Sequence, residues 1–111
     1  MARRGKENRE RSQLTRGTIL EALQAAVDRE RGDSESPSTY MDETLLYAVV
    51  APRYPQTMEM LRGELYYLRD KGYVKFTEVK IGAKKSLMWR ITAAGTDIYQ
   101  GTKEDPGVAV E

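Results

Sequence analysis

The 111-residue chain contains no cysteine and no histidine. Without cysteine there are no disulfides and no thiolate nucleophiles; without either residue, Cys/His zinc sites and the usual neutral-pH general base are excluded. Long apolar runs are lacking too. None could span a bilayer, and no apolar stretch follows the basic N-terminus "MARRGKENRERSQLTRG" as it would in a secretory signal. A cytoplasmic protein with no membrane partner is expected. No glycine-rich phosphate loop or metal-ligand spacing occurs, and the carboxylates are scattered without a pair placed for acid–base work. The expectation is a non-enzymatic protein without cofactor or metal.

What is present is segregated charge. The formal net charge is only +1. Residues 1–16 carry six Arg/Lys against two Glu, net +4, whereas residues 17–56 carry three against seven, net −4. Residues 57–91 carry eight against four, net +4, and residues 92–111 one against four, net −3. Binding to a polyanion depends on the local field and not on the sum, so two basic segments separated by acidic ones are compatible with a positive patch.

Residues 1–12 are polar, charged and without apolar periodicity, which predicts a mobile basic arm. Ser12 can cap a helix in which Ile19, Leu20, Leu23, Ala26 and Val27 recur at helical spacing to about residue 31, with Gly17 a weak spot near its start. "GDSESPS", residues 32–38, reads as a loop. Asp42 is an N-cap for a short helix with Leu45, Leu46, Val49 and Val50 on one side, ended by Pro52 and Pro55. Thr57 caps a third helix, 57–71, whose stripe is Met58, Leu61, Leu65 and Leu68, and Gly72 stops it.

"YVKFTEV" and "SLMWRI" alternate, placing Val74 with Phe76 and Leu87 with Trp89 and Ile91, so two antiparallel strands are expected around the connection "KIGAKK". Thr92 caps a last helix with Ala93, Ile98 and Tyr99 as core contacts, and residues 102–111 read as a flexible tail. The predicted fold is mainly α with a small β-hairpin, of the α+β class, one domain over residues 13–101. Three helices, a hairpin and a fourth helix is the order of a winged helix-turn-helix.

In that arrangement the third helix enters the major groove and the hairpin, the wing, reaches phosphate. The candidate DNA contacts are Gln56 and Thr57 at the start of that helix, Arg62, Tyr66 and Arg69 on its outer face, Lys80, Lys84 and Lys85 in the 80–86 wing, and Arg3 and Arg4 of the arm. Arg62 has the donors to read guanine or bind phosphate, and Gly63 allows close approach. Glu59 and Glu64 weigh against this, because a carboxylate in the groove repels phosphate. Tyr66, Tyr67, Tyr73 and Trp89 read as core or interface residues more than as base-stacking platforms.

The stretches "TILEALQ", "YMDETLLYAVV", "LRGELYYLRDKGYVKF" and "WRITAAGTDIYQGTKEDPGV" together resemble the small winged-helix proteins of Mu-like bacteriophages and prophages, over about residues 17–108. "LRDKGYV" and "ITAAG" more distantly resemble the MarR and PadR families of winged-helix regulators. The resemblance implies a winged-helix fold and double-stranded DNA as partner, and brings no catalytic residue or cofactor. A homodimer is expected from the two-fold symmetry common among such regulators. The competing reading is a winged helix used as a protein-interaction or assembly module, motivated by the acidic 17–56 segment and the aromatic residues Tyr66, Tyr67 and Trp89.

Overall fold

The longest element is a helix, α1, over Ala2–Asp28. It appears in a computed structural model that describes residues 2–29 and 36–110, with side chains described throughout except at residues 2–8 and Ile81. The arm expected over residues 1–12 is therefore helical from Ala2, and Ser12 lies inside the helix and does not cap it. Apolar periodicity marks only the half of a helix that packs. The Ala, Arg, Lys, Glu and Gln of the remainder are strong helix formers that leave no such mark. Burial begins at Thr15, and Ile19, Leu20, Leu23 and Ala26 then line the core.

The expected loop over residues 32–38 falls partly outside the described residues; its last part forms a single 3-10 turn, Pro37–Thr39. A two-residue strand that the sequence reading missed, β1 (Met41–Asp42), follows and leads into α2 (Glu43–Val50). Asp42 caps α2 as expected, accepting from the Thr44 backbone N–H at 2.8 Å. Thr57 caps α3 (Met58–Asp70) through the Met60 N–H at 3.2 Å. Gly72, at φ 83°, turns the chain into β2 (Val74–Ile81), which a turn at Gly82 (φ 65°) joins to β3 (Lys84–Ile91). Helix α4 (Ala93–Gln100) is capped by Thr92, which accepts from Gly95 N–H at 3.1 Å.

The architecture is α+β. Four helices and a three-stranded antiparallel sheet of order β1-β3-β2 are present among the described residues. The hairpin register pairs Val74 with Ile91, Phe76 with Trp89, Glu78 with Leu87 and Lys80 with Lys85, while β1 pairs Met41 with Trp89. The alternation read from the sequence is reproduced, but the strands run further than expected. Only Gly82 and Ala83 separate them, so Lys80, Lys84 and Lys85 are strand residues and not loop residues.

Leu61, Leu65 and Leu68 of α3 are wholly buried, together with Leu46 and Val50 of α2 and Trp89 of the sheet. The expected grouping of four apolar residues on α2 is corrected. Leu46 and Val50 face inward, whereas Leu45 and Val49 are 53% and 45% exposed. On α4 the contacts are Ile98 and Gly95, with Tyr99 half-buried against the core as expected and Ala93 outside. A Cβ on Gly95 would strike the Tyr73 carbonyl, so this glycine is what lets α4 lie against the start of β2.

Residues 101–110, expected as a flexible tail, are strapped across α1 and α3. The Ala109 N–H donates to the Gln13 carbonyl at 3.0 Å, Gln13 Nε2 to the Pro106 carbonyl at 2.7 Å, and Val108 joins the core. Between these points Arg16 sits in a cage. Its guanidinium lies 3.5 Å from the Tyr67 ring centre, donates to the Gly107 carbonyl at 3.0 Å and pairs with Glu64 at 3.2 Å. The Pro-Gly pair within the segment expected to be flexible is held in a turn by Asp105, whose carboxylate accepts from the Gly107 N–H at 2.7 Å.

Candidate nucleic-acid interface

Helix α3 buries the Leu61–Leu65–Leu68 side and turns Glu59, Arg62, Gly63, Tyr66 and Arg69 outward. The sequence leads to this division directly, because apolar residues at spacings of four and three leave the opposite arc to polar ones. Along the edge that meets the hairpin, Tyr66 packs on Trp89 with ring centres 6.1 Å apart, and Phe76 packs on the same indole at 5.1 Å. Arg69 lies over both outer rings, 4.8 Å from the Tyr66 centre and 5.8 Å from Phe76. The buried indole thus fixes the angle between helix and hairpin. Tyr66 and Phe76 remain 38% and 41% exposed, so their outer faces lie in the space between the two elements.

The register sorts the three hairpin lysines. Lys80 and Lys85 are directly opposite and share the face of Phe76 and Trp89, while Lys84, one residue on, belongs to the other face. Two ammonium groups placed across an antiparallel pair repel each other, which favours an anion between them. Glu78 on that face approaches Lys85 at 3.9 Å, a loose contact between half-exposed groups that screening weakens further.

Other candidates have structural duties. The Thr57 hydroxyl is the α3 cap. Gln56 braces the turn: its amide donates to the Tyr54 carbonyl at 2.9 Å and its own carbonyl accepts from the Tyr47 hydroxyl at 2.7 Å. Arg69 also contacts the neighbouring Asp70 at 3.2 Å. Arg62 donates from Nε to Oε2 of Glu43 at 3.0 Å. Arg3 and Arg4 fall in the first turns of α1, and their side chains lie outside the described residues.

One participant was missed by sequence reasoning, and two residues it did read, Arg11 of the basic arm and the cap Asp42, have partners that it did not indicate. Glu43, in the first turn of α2, has a side chain only 8% exposed beneath Arg62. An acidic residue there is ordinary for a helix start, so nothing in the local pattern signalled burial. Arg11 donates to the Pro55 carbonyl, which brings the basic half of α1 beside the turn that precedes α3. Asp42 joins α2 to the hairpin by accepting from the Ser86 hydroxyl at 2.8 Å; that bond, opposed by burial and helped by the cap N–H groups, holds the Asp42 carboxyl below its ordinary value.

Arg11 thus stands at the turn before α3, and the lysine-bearing hairpin follows α3 in the chain. No cluster of three or more acidic side chains arranged to hold a metal, and no helix long and apolar enough to cross a membrane, occurs among the described residues. No protein-family model matches the chain, and no curated protein or solved structure matches it either.

Proposed function

We propose that the chain is a winged helix-turn-helix protein that binds double-stranded DNA, with α3 in the major groove and the β2–β3 hairpin as a wing on phosphate. The observation that carries this reading is topological. The hairpin leaves the end of α3 at Gly72, packs Phe76 and Trp89 against Tyr66 and Arg69 of that helix, is paired with β1 on its other side, and carries Lys80 and Lys85 on the same face as those aromatic residues, while Arg62, Gly63, Tyr66 and Arg69 of α3 stay exposed. Strands of eight residues are about 26 Å long, enough for the tip to reach past the core to a flanking backbone.

Gly63 has no atom within 4 Å of the position its Cβ would take, which keeps the middle of α3 clear for close approach. The resemblance of residues 17–108 to winged-helix proteins of Mu-like phages points the same way, toward a cytoplasmic regulator of phage or prophage transcription.

Fluorescence anisotropy of a labelled mixed-sequence duplex, titrated at several salt concentrations, tests the reading. Phosphate binding requires affinity that falls steeply with salt, by a slope near 0.9 for each phosphate contacted. Absence of binding at low salt would reject it.

A second reading has its own observation. Leu45, Ala48 and Val49 form an exposed apolar strip on α2. Such a strip suits a protein partner or a second copy of the chain, and sedimentation at high micromolar concentration tests the homodimer.

A further inference from the structure

Glu43 is a costly residue in its place. A carboxylate nearly removed from water needs compensation, and on a surface offered to phosphate it also reduces the attraction. The α2 N-terminus compensates part of its charge, and Arg62 supplies an ion pair through a single nitrogen, Nε to Oε2 at 3.0 Å. Oε1 of Glu43 is buried and has no hydrogen-bond partner among the described residues, so the carboxylate grips Arg62 by one edge only. The guanidinium is planar and carries five donors. Holding it at Nε sets its plane and leaves both terminal nitrogens without a partner among the described residues, on a side chain still 47% exposed on the outward face of α3.

We infer that Glu43 is a positioning residue for base recognition: it holds Arg62 so that the two terminal nitrogens meet O6 and N7 of a guanine in the major groove. The inference rests on the DNA-binding reading above. Guanine is the base whose groove edge offers two acceptors matched to that fork, and an arginine already held loses less rotamer freedom when it binds. A simple clip between α2 and α3 would also use this ion pair. The two roles differ in one respect: removing a clip changes stability, whereas removing a positioning group changes which base is preferred.

The test is selection from a duplex pool with a randomised central segment, using the full chain and variants whose folding is checked by thermal melting. The wild type is expected to enrich guanine at a fixed position. Arg62→Lys keeps the charge and loses the fork, and is expected to lower that preference by roughly 5- to 150-fold. Glu43→Met, which fills the buried volume without an acceptor, is expected to lower it several-fold while raising affinity for unselected duplex, because a negative charge has gone. Glu43→Gln, whose amide oxygen still accepts from Nε, is expected to retain more of the preference than Glu43→Met. Should Glu43→Met not fold, Glu43→Ala takes its place.

Unchanged guanine preference in a folded Glu43→Met or Glu43→Ala would make Glu43 a clip and overturn the inference. A wild type that binds every duplex equally would also overturn it while leaving phosphate binding intact. A wild type that binds no duplex at low salt would overturn both readings.

Discussion

The Tyr73 hydroxyl donates to Oδ2 of Asp105 at 2.5 Å, joining the start of β2 to the strap that crosses α1 and α3. Lys71 adds a weaker contact to the same carboxylate at 3.7 Å. Together they fasten a segment that places Val108 in the core and leaves Val110 exposed.

This pair makes stability pH-dependent on both sides of neutrality. The Tyr73 hydrogen bond, then the Gly107 N–H, then the Lys71 charge, hold the Asp105 carboxyl below its ordinary value of 3.8 against the effect of burial. A depressed carboxyl contributes stability above its unfolded value and loses it as pH falls through the folded one. Tyr73 is pushed up from 10.0 to about 12, chiefly by the same hydrogen bond, so its contribution is complete below 10 and is lost as pH rises toward 12. Melting temperature is expected to be level between about pH 5 and pH 9 and to decline outside that range. Tyr73→Phe should flatten the alkaline decline and reduce the acid one; a profile parallel to wild type would show that the bond contributes nothing.

Gly17 and Gly63 are both interior helix glycines, and intrinsic propensity assigns each Gly→Ala change a gain of about 1 kcal/mol. The structure separates them. A Cβ on Gly63 meets nothing within 4 Å, whereas one on Gly17 would strike the Ala109 carbonyl of the strap. Gly63→Ala is expected to stabilise by about 0.5–1 kcal/mol. Gly17→Ala is expected to destabilise by about 1–3 kcal/mol, as overpacking does. Chemical denaturation of the two variants decides, and equal gains would mean that the strap does not press on α1.

Arg16 is the other fastening of the strap. Arg16→Met keeps the stem but removes the Glu64 pair, the Gly107 hydrogen bond and the stacking on Tyr67. Because Arg16 and Glu64 are only 17% and 15% exposed, a loss of about 2–3 kcal/mol is expected, toward the low side of that for breaking a buried pair. Adding Glu64→Met should recover part of that loss, since the stranded carboxylate is then gone. A double variant no more stable than Arg16→Met would place the cost elsewhere.

For the wing, replacing Lys80, Lys84 and Lys85 by Gln should weaken duplex binding alike for all sequences. The salt slope should fall by about 0.9 for each lysine that touches phosphate. The register adds a finer expectation. Lys80 and Lys85 share the α3 side of the hairpin and Lys84 faces away, so the first two should account for most of the change. Anisotropy titrations of the single variants would show it, and an equal share for Lys84 would contradict the proposed docking.

Much of the fold was legible because its signals are local. The caps Asp42, Thr57 and Thr92, the stop at Gly72, the Leu61–Leu65–Leu68 stripe and the alternation of the hairpin each depend on residues within one or two turns of one another, where side-chain spacing alone sets the geometry. What failed depended on partners far away in the chain. Strand β1 is two residues long and exists only because β3 pairs with it. The strap has no periodicity and is held by Gln13, Arg16 and Tyr73. Leu45 and Val49 have the same apolar character as Leu46 and Val50, and only the position of α2 on the core decided which pair was covered.

The candidate interface divides along the same line. The sequence by itself determined which residues α3 turns away from its apolar stripe, since that follows from the fixed period of 3.6, whereas which hairpin lysines share a face was set by the register around the Gly82–Ala83 turn. Only the tertiary structure decided that Arg62 is held by a buried Glu43, that Arg11 reaches the turn before α3, and that Trp89 sets the angle between helix and hairpin. Those relations join residues brought together by packing, and local periodicity contains no information about what lies across the core.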